Sequence, residues 1–246
     1  MYEFVLLPIV GFIQAAFTAV VGLGGGPVLL AALLIFMRPA DAIPFHGMVQ
    51  ICATLTRVVL LWRHISWPLV WRFSLLLAPG GAVGMWVLQG LSERMILILI
   101  GSFILFMLVV REFRFLRELR LPYWGFIPLG FMVGIMVVTV GVAAIFTGAF
   151  MMRKELSKES INATLGCCGT LGHVVKITAF GLVGFDFIKA FPAFLAMLPA
   201  VVLGSLLGRV LLRYISERFF LLMFKLTMVA LCLKLVLWDG VIVYLL

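Results

Sequence analysis

Charge is the scarcest thing in this sequence. Asp, Glu, Lys and Arg make up 12% of its 246 residues, about half the share of an ordinary soluble domain. No stretch is long and polar enough to fold in water, which excludes an appended soluble domain. No phosphate-binding loop occurs either, so direct ATP drive would need a partner. Acid is scarcer than base. The carboxylates Glu3, Asp41, Glu93, Glu112, Glu118, Glu155, Glu159, Asp186, Glu217 and Asp239 all fall at a terminus, in a loop or at a segment end. Those positions argue against a buried cation site and against an Asp/Glu proton relay. The four cysteines, Cys52, Cys167, Cys168 and Cys232, sit in apolar runs without metal-ligand spacing. They read as small buried hydrophobes, and no metal or cofactor is expected. The N-terminus has neither a basic n-region nor a plausible cleavage site, so its apolar run reads as an embedded segment.

What is present is apolar. Hydrophobic residues make up 65% of the chain and mean hydropathy is +1.25, the composition of a polytopic membrane protein. In hydrocarbon every backbone polar group must be satisfied internally, so an all-α fold is expected. A span needs about 20 apolar residues. Segments read at 4–37, 44–62, 67–90, 95–110, 122–150, 160–182, 187–208 and 219–238. The net charge of +9 does not point to nucleic acid. Its basic residues lie mostly at segment ends, where they set orientation and meet anionic lipid.

The first and fifth segments are odd. Gly22-Leu23-Gly24-Gly25-Gly26-Pro27 interrupts the first, and Gly141 holds the corresponding place in Thr139-Val140-Gly141-Val142-Ala143-Ala144. Backbone freed there survives only inside protein or facing a wet cavity. The halves also match each other. At an offset of 119, Gly11-Phe12 matches Gly130-Phe131, Gly22 matches Gly141 and Arg57 matches Lys176. At 124, Gly80 and Gly84 match Gly204 and Gly208, and Ser92-Glu93-Arg94 matches Ser216-Glu217-Arg218. The chain therefore reads as one transmembrane domain, 1–246, with repeat one at 1–110, a linker at 111–121 and repeat two at 122–246. The stretch from Arg111 to Arg120 reads as an amphipathic linker on anionic lipid.

Basic residues choose the topology. If the first and fifth segments each cross once, the two faces hold six and eight cations, which decides nothing. If both are broken hairpins, Arg38, Arg94 and Lys189 share one face and eleven lie on the other. That bias marks the eleven-cation face as cytoplasmic and puts both termini outside. Each half then has three helices that cross and one re-entrant hairpin, so the second repeat is inverted, a common transporter plan.

The glycine run after a first apolar segment resembles the signature of the TauE/SafE sulfite exporter family. Ala42, the helix carrying Thr54, Arg63-His64-Ile65-Ser66-Trp67 and Gly80-Gly81-Ala82-Val83-Gly84 extend the resemblance, which is sharpest over about residues 8–105. In the second half Ala143-Ala144-Ile145 stands where the family often repeats a glycine triplet. The resemblance implies a membrane protein that moves sulfite, sulfonates or related sulfur-containing anions.

Cations inside the segments fit such a ligand. His46, Gln50, Thr54 and Arg57 share one helical face, as do Asn162, Gly166, Gly169, His173 and Lys176. Inverted repeats would place Arg57 and Lys176 on opposite sides of a site that Thr54 and His173 approach. Such donors suit the oxygens of a small anion. Backbone N–H groups of Gly24, Gly25 and Gly26 could add to them, as helix N-termini do. The competing reading of Arg57 and Lys176 is snorkelling to an interface, which is the favoured reading of Arg72, Lys225 and Lys234. His46 and His173 could equally serve neighbouring backbone, and the glycine run could serve helix packing. A secondary exporter of a small anion in the cell membrane is expected. A passive anion channel and a membrane-embedded enzyme using His46 or His173 remain the alternatives.

Overall fold

Apolar runs of this length have one simple way to satisfy their backbone in a bilayer, and the computed structural model takes it. It describes residues 3–21, 25–110, 121–151, 155–211 and 217–242. Gly22, Leu23, Gly24 and the linker from Arg111 to Arg120 lie outside them. The helices are α1 (Glu3–Val21), α2 (Gly25–Leu33), α3 (Pro39–Leu61), α4 (Trp67–Leu75), α5 (Leu77–Gln89), α6 (Glu93–Val110), α7 (Phe126–Thr139), α8 (Ala144–Met151), α9 (Lys158–Leu182), α10 (Phe187–Leu211) and α11 (Glu217–Leu233). Among the described residues four stretches are long and apolar enough to cross a membrane: Pro39–His64, Trp67–Gln89, Lys158–Leu182 and Phe187–Gly204. The chain is an all-helical multi-pass membrane protein.

Both expected interruptions fall where glycine sits. α2 opens at Gly25, inside the glycine run. In the second half the helix ends at Thr139 and resumes at Ala144. Gly141 adopts φ +79, and its N–H donates to the Met136 carbonyl at 3.1 Å. A left-handed residue closing the last helical carbonyls is how glycine ends a helix. With nine residues in α2 and eight in α8, each is about 12–14 Å long, less than half the hydrocarbon thickness.

One interruption was not expected. The segment read as continuous over 67–90 divides at Leu76, which has φ −112 and ψ 7. Pro79 has no N–H for the Leu75 carbonyl, and its ring crowds that oxygen. The Gly80 N–H then restarts the ladder on the Leu76 carbonyl at 2.9 Å.

The chain forms two compact units, and each draws on both halves. One comprises Met1–Val49, Glu93–Leu105 and Asp186–Leu246; the other comprises Gln50–Ser92 and Phe106–Phe185. In the first unit α1 packs along α10. In the second, α5 packs along α7. Glycine permits both approaches. A methyl at Gly80 would strike the Phe131 carbonyl oxygen, and one at Gly204 would strike that of Phe12. These are the residues matched at offsets 124 and 119. Gly130 likewise abuts Phe73, and its counterpart Gly11 abuts Met197. The sequence matches are therefore matches of packing. Small residues let membrane helices come within backbone contact, where dispersion replaces the missing hydrophobic drive.

Lys234 has a partner in its own turn. The last turn, Lys234–Asp239, is a π-helix. Its wider winding sets the ammonium against the Asp239 carboxylate at 2.6 and 2.9 Å. Residues five apart on an ordinary α-helix point well away from one another.

Candidate functional site

α9 carries most of the candidate site. Its start is fixed by Ser157, whose hydroxyl oxygen accepts from the Ser160 N–H at 3.1 Å. That bond satisfies one of the open donors of the first turn. From there Gly166, Gly169, His173 and Lys176 recur at steps of three, four and three, a single face. Its two glycines admit the second half of α3. A Cβ at Gly166 would lie 3.2 Å from that of Arg57, and one at Gly169 would lie 3.1 Å from the Thr54 methyl. Rising numbers on α3 meet falling numbers on α9, so the helices cross antiparallel here.

This crossing spaces the cations. Arg57 sits beside Gly166, and Lys176 lies ten residues further on, about 15 Å along the α9 axis. His173 stands between them within electrostatic reach of both. Lys176 is 0% exposed and donates to the Gly141 carbonyl at 2.6 Å. It does not snorkel. A buried ammonium is thus fastened to the interruption that separates α7 from α8. Arg57 is half-buried and makes no hydrogen bond or ion pair among the described residues. The Thr54 hydroxyl donates to its own helix, to the Gln50 carbonyl at 3.0 Å or that of Ile51 at 3.2 Å. Its proton is already engaged, so it offers the site lone pairs where a donor was expected. Gln50 precedes it on the same face and is partly exposed.

The other unit holds a second arrangement. Gly25 and Gly26 open α2, so their N–H groups have no partner within the helix. The carbonyls of both are held from the side. Gln14 Nε2 donates to Gly25 at 3.0 Å, and His46 Nε2 lies 3.0 Å from the Gly26 oxygen. A carbonyl only accepts, so His46 carries its proton on Nε2. Gln14 and His46 are buried, and both fasten α2 by its first turn. Gly24 falls outside the described residues.

Of the expected residues, then, the structure gathers Thr54, Arg57, Gly169, His173 and Lys176 in one unit. It gathers Gly25, Gly26 and His46 in the other. Two participants were missed. Gln14 was legible only as a lone amide in an apolar run, which must find a partner. The Gly141 carbonyl gave no signal beyond marking the break.

The family model described as "Sulfite exporter TauE/SafE" matches residues 7–235. No curated protein and no solved structure matches the chain.

Proposed function

The chain belongs to the sulfite exporter TauE/SafE family, a family of membrane transporters, and from that premise we propose that it is a secondary carrier exporting a small sulfur-containing anion. The observation that carries the reading is the row of Arg57, His173 and Lys176 along the α3–α9 crossing. A cation at depth costs about 2.5–3.5 kcal/mol on insertion scales. A row of three nitrogen-bearing groups there suits an anionic ligand. Arg57 supplies a planar fork of donors that fits two oxygens of a sulfur oxyanion. Lys176 supplies a point charge, and Gly169 lets α3 and α9 approach closely enough to bring Thr54 alongside.

Lys176 also gives the site a means of movement. Its ammonium is shared between the Gly141 carbonyl and whatever anion arrives. Binding draws charge from the carbonyl and loosens the α7–α8 break. Outward movement needs no coupling ion, because an interior-negative potential expels each negative charge with about 2.3 kcal/mol per 100 mV.

The reading includes inverted repeats, re-entrant hairpins at both breaks, termini outside and a cytoplasmic linker. Two contacts support it. The Ser66 N–H donates to Thr164 Oγ1 at 3.0 Å, and His64 lies within electrostatic reach of Glu159. The turn holding Arg63 and the start of α9 therefore share one end of their unit. Broken hairpins require that; single crossings would put Arg63 and Lys158 on opposite faces.

Purified protein in liposomes loaded with sulfite tests the function. Saturable uptake of labelled sulfite, accelerated by unlabelled sulfite inside, is the expected result. Flux that rises linearly without saturation would sink the carrier in favour of a channel.

A further inference from the structure

Four of the six tryptophans, Trp62, Trp67, Trp71 and Trp124, cluster in sequence beside Arg63, Arg72 and the arginine-rich linker. All four are more than half exposed. An aromatic girdle at a membrane boundary would look much like this, but one of its members does something a girdle does not require. The Arg72 guanidinium lies 4.9 Å from the centre of the Trp124 ring and 5.7 Å from that of Tyr123. Its Nη1 donates to the Pro68 carbonyl at 2.6 Å. An arginine that merely snorkels keeps its head in water and free to turn. This one is stacked on two rings and tied by one edge. Its Nε is buried with no acceptor among the described residues, and Arg72 forms no ion pair there.

We propose that Arg72, with Trp124 and Tyr123, is a binding site for the phosphodiester of an anionic phospholipid. A stacked guanidinium with one donor fixed presents its remaining donors in a set direction, the geometry that recognises phosphate. The ring of Trp124, 68% exposed, offers apolar area for the glycerol and the first methylenes of the acyl chains. Charge decides between an anionic and a zwitterionic lipid. Residues 111–120, which lead directly into Tyr123 and Trp124, carry Arg111, Arg114, Arg117 and Arg120 against Glu112 and Glu118. With Arg63 and Arg72 the sequence on either side of the site is strongly basic, which favours a headgroup that brings no cation of its own. The site is independent of the anion pathway, since none of its members lies on the Arg57–Lys176 row.

Delipidated full-length protein is incubated with equimolar phosphatidylglycerol and phosphatidylcholine of matched chains, and retained lipid is counted by native mass spectrometry. Wild type is expected to hold one phosphatidylglycerol in at least about tenfold preference. Arg72→Gln should abolish that preference and Trp124→Leu should weaken it, while Lys189→Gln leaves it intact. Equal retention of the two lipids by wild type overturns the proposal, as does a preference that survives Arg72→Gln. A thermal-shift arm with inorganic phosphate separates a lipid site from a free-anion site. Stabilisation by phosphate equal to that by phosphatidylglycerol would also overturn it. Should Arg72→Gln fail to fold, the wild-type competition and Trp124→Leu still decide.

Discussion

Arg57 and Lys176 carry the same charge in different company. Lys176 is buried and fastened to the Gly141 carbonyl, whereas Arg57 keeps its donors open among the described residues. Their replacements should therefore fail differently. Arg57→Gln leaves the fold intact and removes a charged partner of the anion. Such a loss typically costs about 2–5 kcal/mol, so sulfite affinity in a binding assay should fall tenfold or more. Lys189→Gln, at an exposed position, should change nothing. Unchanged affinity in Arg57→Gln would displace the site. Lys176→Met takes away the ligand for a buried carbonyl as well, at about 1–3 kcal/mol. Lower thermal stability should accompany its loss of transport, and transport lost at full stability would contradict the tether to Gly141. The facing of these side chains was legible in sequence because helical spacing fixes which residues share a side. Their partners were not. Whether the Thr54 proton points outward or back to Gln50, and whether Lys176 meets an interface or a carbonyl, depends on what packs opposite.

Helices here are held by glycine more than by bulk. Gly80 and Gly130 each sit where a neighbouring carbonyl occupies the space of a methyl group. Overpacking of this kind typically costs 1–3 kcal/mol or more, and here the obstruction is backbone, which cannot rotate aside. Gly80→Ala and Gly130→Ala should each lower the unfolding temperature in detergent and broaden elution in size-exclusion chromatography. At Gly90 the nearest atom would be 3.5 Å away, so Gly90→Ala should behave as wild type. If all three behave alike, close approach is not what joins α5 to α7. Element boundaries were largely readable, because glycine and proline mark where hydrocarbon-length helices must stop. The division at Leu76 escaped because the segment over 67–90 is apolar throughout, and Pro79 acts a turn before its own position, on the Leu75 carbonyl. The Lys234–Asp239 pair escaped because it depends on a π turn, which α-helical spacing does not anticipate.

For the molecule as a whole, the proposed topology rests on eleven basic residues against three. A cysteine placed at Ser157 or at Arg117 should react with an impermeant maleimide only after the membrane is opened from the inside. Labelling of either in sealed right-side-out vesicles would overturn the topology. The offsets between the halves were legible in sequence, and Phe12–Gly204 and Phe131–Gly80 proved to be like contacts. What repeats is half of each partnership, since each pairing takes one helix from either half. α5 meets its partner α7 soon after leaving the ribosome, but α1 must wait for α10, more than 160 residues later. At about 5–20 residues per second, that leaves α1 in the membrane for roughly 10–40 seconds with its glycine face uncovered. During that interval the nascent first half is a different object from the finished protein, open to insertase, to lipid or to a second nascent chain.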